Sequence, residues 1–194
     1  MSKIIAVEHL TLDGVMQAPG RTDEDTRDGF AHGGWAHRHD DPVQAEVMGR
    51  HMAANRGALL LGRRTYEDFA GYWPRQVGNP MADALDKTEK FVASRTGSGP
   101  LAWQNSTWLC GDAVRAVPEL RWREPDRNLV VLGSGVLVRS LMRHDLVDEY
   151  LLLIHPLVLG SGRRLFDGVE LGGLRMTDTV TTGTGVVIIT YRRG

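Results

Sequence analysis

Leu129-Val130-Val131-Leu132-Gly133-Ser134-Gly135-Val136-Leu137-Val138-Arg139-Ser140-Leu141 is an apolar run of buried-strand length that stops at glycine and passes into a helix-like stretch. The same pattern occurs earlier, in Ala58-Leu59-Leu60-Leu61-Gly62-Arg63-Arg64-Thr65-Tyr66-Glu67. Glycine lets a ligand approach the backbone closely, and a helix amino terminus presents free N–H groups with partial positive charge. Two such junctions on one sheet could hold the two phosphate-bearing halves of a dinucleotide. Each also has a plainer reading as a tight strand-to-helix turn. The third glycine of the dinucleotide fingerprint is missing, because Val138 stands in its place.

Working outward, strands are expected over 4–10, 58–61, 90–93, 106–109, 128–132 and 147–154. Helices are expected over 42–55, 64–70, 81–86, 112–120 and 135–143. Pro42 at the first helical position, after Asp41 as N-cap, opens the first helix. Residues 174–182 and 186–192 read as an antiparallel hairpin around Gly183-Thr184-Gly185. Strands alternate with helices until this final pair. That order predicts a three-layer α/β/α domain over 1–194, its central sheet mixed but mostly parallel with a C-terminal antiparallel hairpin at one edge.

The 194 residues are 42% hydrophobic and 24% charged with a net charge of −1, so no global field favours nucleic acid or an acidic membrane. The single cysteine, Cys110, excludes an intrachain disulfide and a cysteine-cluster metal site, and is expected as a small core residue at a strand end. After Lys3 comes a short strand-like run, not a long apolar segment, and no stretch reaches transmembrane length. The cytoplasm is the expected compartment.

Other polar clusters could carry chemistry. Arg63 and Thr65 could bind phosphate, or the arginines could pair with Glu67 and Asp68. Ser94-Arg95-Thr96 after a strand could be a second phosphate cradle or a polar turn. Residues 30–39 hold Gly33-Gly34, Trp35, His32, His37 and His39, which could form an aromatic lid over a substrate mouth or a solvated loop. Metal binding there, with Asp40 or Asp41, matches no zinc spacing, and no metal is expected. Tyr66, Phe69, Tyr72 and Trp73 form an aromatic cluster divided between core and pocket.

The order of these motifs resembles the dihydrofolate reductase superfold. Leu12-Asp13-Gly14-Val15-Met16, Leu61-Gly62-Arg63 and the late segment His155-Pro156-Leu157-Val158-Leu159-Gly160-Ser161-Gly162-Arg163-Arg164-Leu165-Phe166 look more like its riboflavin-biosynthesis reductase branch. The resemblance spans essentially the whole chain. It implies NADPH across the carboxyl ends of the strands. Arg63 and Thr65 would sit by the adenosine-side phosphates, with Gly62 at the junction, and Ser94 and Arg95 near the 2′-phosphate. Gly133, Ser134, Gly135, Val136 and Leu137 would form the pyrophosphate turn, and Asp13, Gly14 and Val15 would flank the nicotinamide. The implied activity is reduction of a small heterocycle, such as 5-amino-6-(5-phosphoribosylamino)uracil or a dihydrofolate-type ring. An ungapped count back from Gly62 puts Glu46 at the position of the acid that faces the ring, with Asp13 as a second catalytic candidate. Trp35, Tyr66, Phe69 and Trp73 are candidates for the substrate pocket. The zinc motifs of a deaminase partner domain are absent from the sequence. The alternative is a nucleotide-binding or ligand-sensing protein that keeps the fold without turnover. A homodimer is expected through the apolar C-terminal strands.

Overall fold

The structure, a computed structural model, describes residues 2–55 and 57–194. Eight strands form one sheet: Ile4–Thr11 (β1), Ala58–Gly62 (β2), Lys90–Ser94 (β3), Ser106–Cys110 (β4), Leu129–Leu132 (β5), Glu149–His155 (β6), Leu174–Thr181 (β7) and Val187–Arg193 (β8). Their order is β4-β3-β2-β5-β1-β6-β8-β7, parallel from β4 to β6 and antiparallel over β6-β8-β7. The helices are Pro42–Asn55 (α1), Arg63–Tyr72 (α2), Pro80–Lys87 (α3), Ala113–Arg123 (α4) and Gly135–Met142 (α5). The expected elements all form. β6 begins at Glu149 because Asp148 is spent on β1, its carboxylate accepting from the Ile4 N–H at 2.8 Å.

Parallel strands covered on both faces need apolar residues at every position, which is why β2 and β5 read as continuous apolar runs. On one face Ile4, Ala6, Leu60, Leu129 and Val131 meet Val117 and Leu120 of α4 and Leu137, Val138 and Leu141 of α5. On the other, Ile5, Val7, Leu59, Leu61 and Val130 meet Tyr66, Leu85 and the inner residues of α1, Val47, Met48 and Met52. The three layers of the sequence reading are therefore present. Cys110 ends a strand as expected but is exposed. β4 is an edge strand on which Leu109 turns inward, and the two-residue repeat turns Cys110 out.

Residues 30–39 are solvated at Ala31, His32, His37 and Arg38 but anchored at Phe30, Trp35 and Ala36. Phe30, Trp35 and Ala36 pack with Val15 and Ala18 in a third apolar cluster. Gly34 N–H donates to Ala18 O at 2.8 Å, and Ala36 N–H to Pro19 O at 3.0 Å. The Trp35 indole donates to Gln17 O at 2.8 Å. Gly33 permits this approach, because a Cβ there would lie 2.6 Å from the Thr22 carbonyl oxygen. The late motif closes the same region. Leu12 N–H donates to Leu157 O (2.9 Å), Met16 N–H to Arg163 O (2.9 Å) and Leu165 N–H to Gly14 O (3.0 Å). The two sequence motifs thus form one structural unit at the carboxyl end of β1.

Candidate active site at the carboxyl edge of the sheet

β1 pairs with β6 as far as Thr11–His155 but with β5 only as far as Val7–Leu132. β2 pairs with β5 only through Ala58–Leu129 and Leu59–Val130. The carboxyl end of β5 therefore stands between two crevices, the place where open α/β sheets bind ligands. The turn that leaves β5 is left-handed twice over, with φ of 62° at Gly133 and 61° at Ser134. The left-handed Ser134 followed by the right-handed Gly135 is the alternation that turns successive main-chain N–H groups toward one concavity, a feature of anion sites. Ser134 O accepts from Leu137 N–H at 2.7 Å and Val138 N–H at 3.1 Å. The amides of Gly135 and Val136, at the start of α5, have no partner within the helix.

The two glycine junctions touch. Gly62 N–H donates to Ser134 Oγ at 3.0 Å, which leaves the Ser134 hydroxyl proton to donate elsewhere. A Cβ on Gly133 would lie 3.6 Å from the Thr65 methyl, and one on Gly135 would collide with the Met16 thioether. Gly62, Thr65, Gly133, Ser134, Gly135 and Met16 are thus gathered at one point. Val136, 55% exposed, borders it. Leu137 does not contribute: its side chain is in the core and its N–H is already bonded.

Arg63 is exposed and bonds Glu67 at 2.7 Å, as the plainer sequence reading allowed. It borders a pocket of about 290 Å³ lined also by Tyr66, Thr96, Ser98, Leu101 and Trp108. Arg95 is exposed at the end of β3, and Ser94 Oγ accepts from Thr96 N–H at 3.3 Å. Tyr66 is buried and its hydroxyl accepts from Trp103 N–H at 2.8 Å, so it shapes the pocket wall. Phe69 and Trp73 pack edge to face against each other and onto the core, not into the pocket.

Both carboxylates expected to be catalytic have other work. Glu46 is 64% exposed and pairs with Arg50 at 3.6 Å, so it lies on the solvent face of α1. The inward stripe of that helix runs through Gln44, Val47, Met48, His51 and Met52, with the Gln44 Oε1 buried and unpartnered. Asp13 accepts from Thr11 Oγ1 (2.6 Å), Leu159 N–H (3.2 Å), Gly160 N–H (2.9 Å) and Arg164 (3.2 Å). The Thr11 bond first, then those amides and the guanidinium, hold its carboxyl far below the usual carboxylate range. An ionised, fully bonded Asp13 is a clamp between the first loop and the late motif, not a proton donor. Gly14 takes φ of 78° in that clamp. Val15 is fully buried against Phe30, so its side chain is not a free wall for a ring. Asp13→Ala should therefore lower unfolding stability by about 1–3 kcal/mol, because the Leu159 and Gly160 amides lose their acceptor while Arg164 keeps its bonds to the main-chain oxygens of residues 13 and 160. Urea denaturation checks this, and an unchanged midpoint contradicts the clamp.

Trp35, 4% exposed, is a packing residue whose ring stands edge-on to His155, centroids 5.1 Å apart. Sequence reasoning passed over His155 and its partner His9, whose Nδ1 lies 2.9 Å from His155 Nε2. It also passed over Glu8, buried with one unpartnered carboxyl oxygen. The signal was present, since Glu8 and His9 interrupt an otherwise apolar β1 and His155 heads the late motif.

Comparison with known proteins accounts for this arrangement. The model of the RibD C-terminal domain matches residues 2–188. The chain belongs to the RibD C-terminal domain family. YyaP, an uncharacterized protein of Bacillus subtilis (strain 168), is 30% identical over 138 residues, 69% of this chain and 72% of YyaP. A candidate riboflavin biosynthesis protein from Shewanella sp. PV-4 superposes with a TM-score of 0.75 at 20% identity, covering 99% of each chain. Dihydrofolate reductase from Enterococcus faecalis, solved with NADP(H), gives a TM-score of 0.62 at 14% identity, covering 99% of this chain and 96% of that one. At these identities the two structures establish the fold, which is dihydrofolate reductase-like. Among the described residues no cluster of His, Cys, Asp and Glu could hold a metal, and no helix is long and apolar enough to cross a membrane.

Proposed function

We propose that this chain is an NADPH-dependent reductase of a small heterocyclic substrate, related in chemistry to the reduction of 5-amino-6-(5-phosphoribosylamino)uracil. The observation that carries the reading is the joining of the two glycine junctions through Gly62 N–H and Ser134 Oγ, at the crevice beside β5. The residues fit the cofactor. The amides of Gly135 and Val136 and the free hydroxyl proton of Ser134 suit a diphosphate. Arg95, exposed beside Ser94, suits a 2′-phosphate, and Arg63 stands across the same pocket mouth as Thr96. Beyond Val7 the edge of β1 facing β5 has no strand against it, which leaves main-chain donors and acceptors for a ring amide. NADPH, when bound, supplies the hydride; the protein holds it, orients the acceptor and excludes water.

The positions of Glu46 and Asp13 favour a second reading, a nucleotide-binding protein without turnover, because neither can deliver a proton. Fluorescence titration separates the cases. NADPH should bind at least about tenfold more tightly than NADH, a difference of ~1.4 kcal/mol, and Arg95→Ala should erase the preference. No binding of either nucleotide overturns the cofactor reading. Binding without loss of NADPH absorbance across a panel of pyrimidines and pterins selects the second.

A further inference from the structure

His9 and His155 come from strands 146 residues apart and meet at 2.9 Å, Nδ1 to Nε2. They lie on the α1 face of the sheet, at the carboxyl end of β1 where β5 has already left. His155 is 0% exposed, and its Nδ1 has no partner. Trp35 stands edge-on to it, and His39 also presents an edge, centroids 5.7 Å apart. His9 keeps part of its surface open. Burial is the main cause that pushes both His9 and His155 well below the ordinary histidine range, so the pair is neutral at physiological pH. Asp40 and His37 act on His9 from the neighbouring loop with opposite signs, and His9 and His39 both oppose a charge on His155.

A neutral pair has one proton between the facing nitrogens, and two arrangements are available. If His9 Nδ1 donates, His155 must carry its own proton on Nδ1, a buried N–H with no acceptor. If His155 Nε2 donates, its Nδ1 is a bare lone pair and His9 carries its proton on Nε2. A buried N–H without an acceptor is the rarer and costlier defect. The bond made by one ring nitrogen thus fixes the state of the other.

We propose that His155 locks His9 with its proton on Nε2, so that His9 presents a hydrogen-bond donor to a carbonyl or ring-nitrogen acceptor of the substrate. His155 is a positioning residue. The substrate half of this inference rests on the reductase reading, whereas the tautomer does not. The donor selects ring edges that carry an oxygen or bare nitrogen, and a site that must satisfy a buried polar group rejects analogues lacking the partner.

The test is the imidazole ¹⁵N–¹H correlation spectrum of the labelled full chain between pH 6 and 8, which reports each tautomer without any activity. The expected result is a proton on Nε2 of both residues; a proton on His9 Nδ1 overturns the proposal. His155→Phe should return His9 to a tautomer mixture, and the wild-type spectrum decides alone if that variant does not fold. Addition of 5,6-diaminouracil should shift His9 Nε2, and 1,2-diaminobenzene, which carries neither a ring carbonyl nor a ring nitrogen, should not. Equal shifts, or none from either, overturn the contact. NADPH titration of the same sample shows separately whether the reductase reading has failed.

Discussion

Gly162→Ala is expected to lower the melting temperature by about 5–15 °C, the equivalent of ~2–5 kcal/mol in a chain of this size. Two effects add. The backbone at Gly162 has φ of 113°, a conformation that a side chain strains. The new Cβ would also lie 2.6 Å from a ring carbon of Phe30 and 2.8 Å from a methyl of Val15. Both neighbours belong to the cluster that seals the carboxyl end, with Trp35 and Leu159 around them. Neither can move freely, because Val15 is bridged to Arg164 and its N–H donates to Thr11 Oγ1 at 2.9 Å. Gly160→Ala is the control. It shares the positive φ, at 74°, but a Cβ there meets nothing within 4 Å. Differential scanning calorimetry of the pair separates strain from collision, and equal losses would show that the contact with Phe30 has no weight.

Glu8→Gln should have the opposite sign. Glu8 is 3% exposed, and its Oε1 finds no hydrogen-bond partner. Burial, with Glu24 nearby adding repulsion, pushes its carboxyl from 4.5 up to about 8. A carboxyl whose folded-state value is raised holds its proton more tightly in the folded chain. It therefore costs nothing below pH 4.5 and withdraws stability steadily as pH rises towards 8. At pH 7 the withdrawn stability is about 3 kcal/mol. Glutamine cannot ionise, so the variant should be more stable than the parent by about 3 kcal/mol at pH 7, by more at pH 8, and by little at pH 4.5. Urea midpoints at those three values check the slope. A pH-independent difference would mean that Glu8 reaches a partner or water.

The sheet was legible because its central strands are buried on both faces and its elements are punctuated by Gly62, Gly133 and the closing Gly183-Thr184-Gly185 turn. Local pattern was enough for these elements. The Gly133-Ser134 turn was legible for the same reason, since the two residues are neighbours in sequence as well as in space. The acid was not. A count along the chain put Glu46 inward, although Val43, Val47, Met48 and Met52 already define the buried stripe of α1 and leave Glu46 outside it. The work of Asp13 became visible only with Leu159, Gly160 and Arg164 folded onto it. The His9–His155 pair is a contact between distant strands, which no periodicity within either strand could reveal. Residues 30–39 look like a polar loop by composition. They pack because Gly33 and Gly34 let the backbone close against Arg21 and Thr22.

The order of the strands has a consequence for synthesis. β1 is made before the other strands of the sheet, yet its two neighbours are the fifth and sixth in chain order: Ile4 pairs with Leu129, and Ile5 with Glu149. At ~5–20 residues per second, the apolar segment Ile4-Ile5-Ala6-Val7 waits roughly 6–25 seconds before Leu129, its first partner, is made. The nascent chain thus carries a sticky amino-terminal segment for most of its translation, and only the emergence of residues 149–155 lets it close. A cell making this protein quickly should depend on early-acting chaperones that shield the first strand, and fusing a bulky soluble partner ahead of Ser2 should raise its yield.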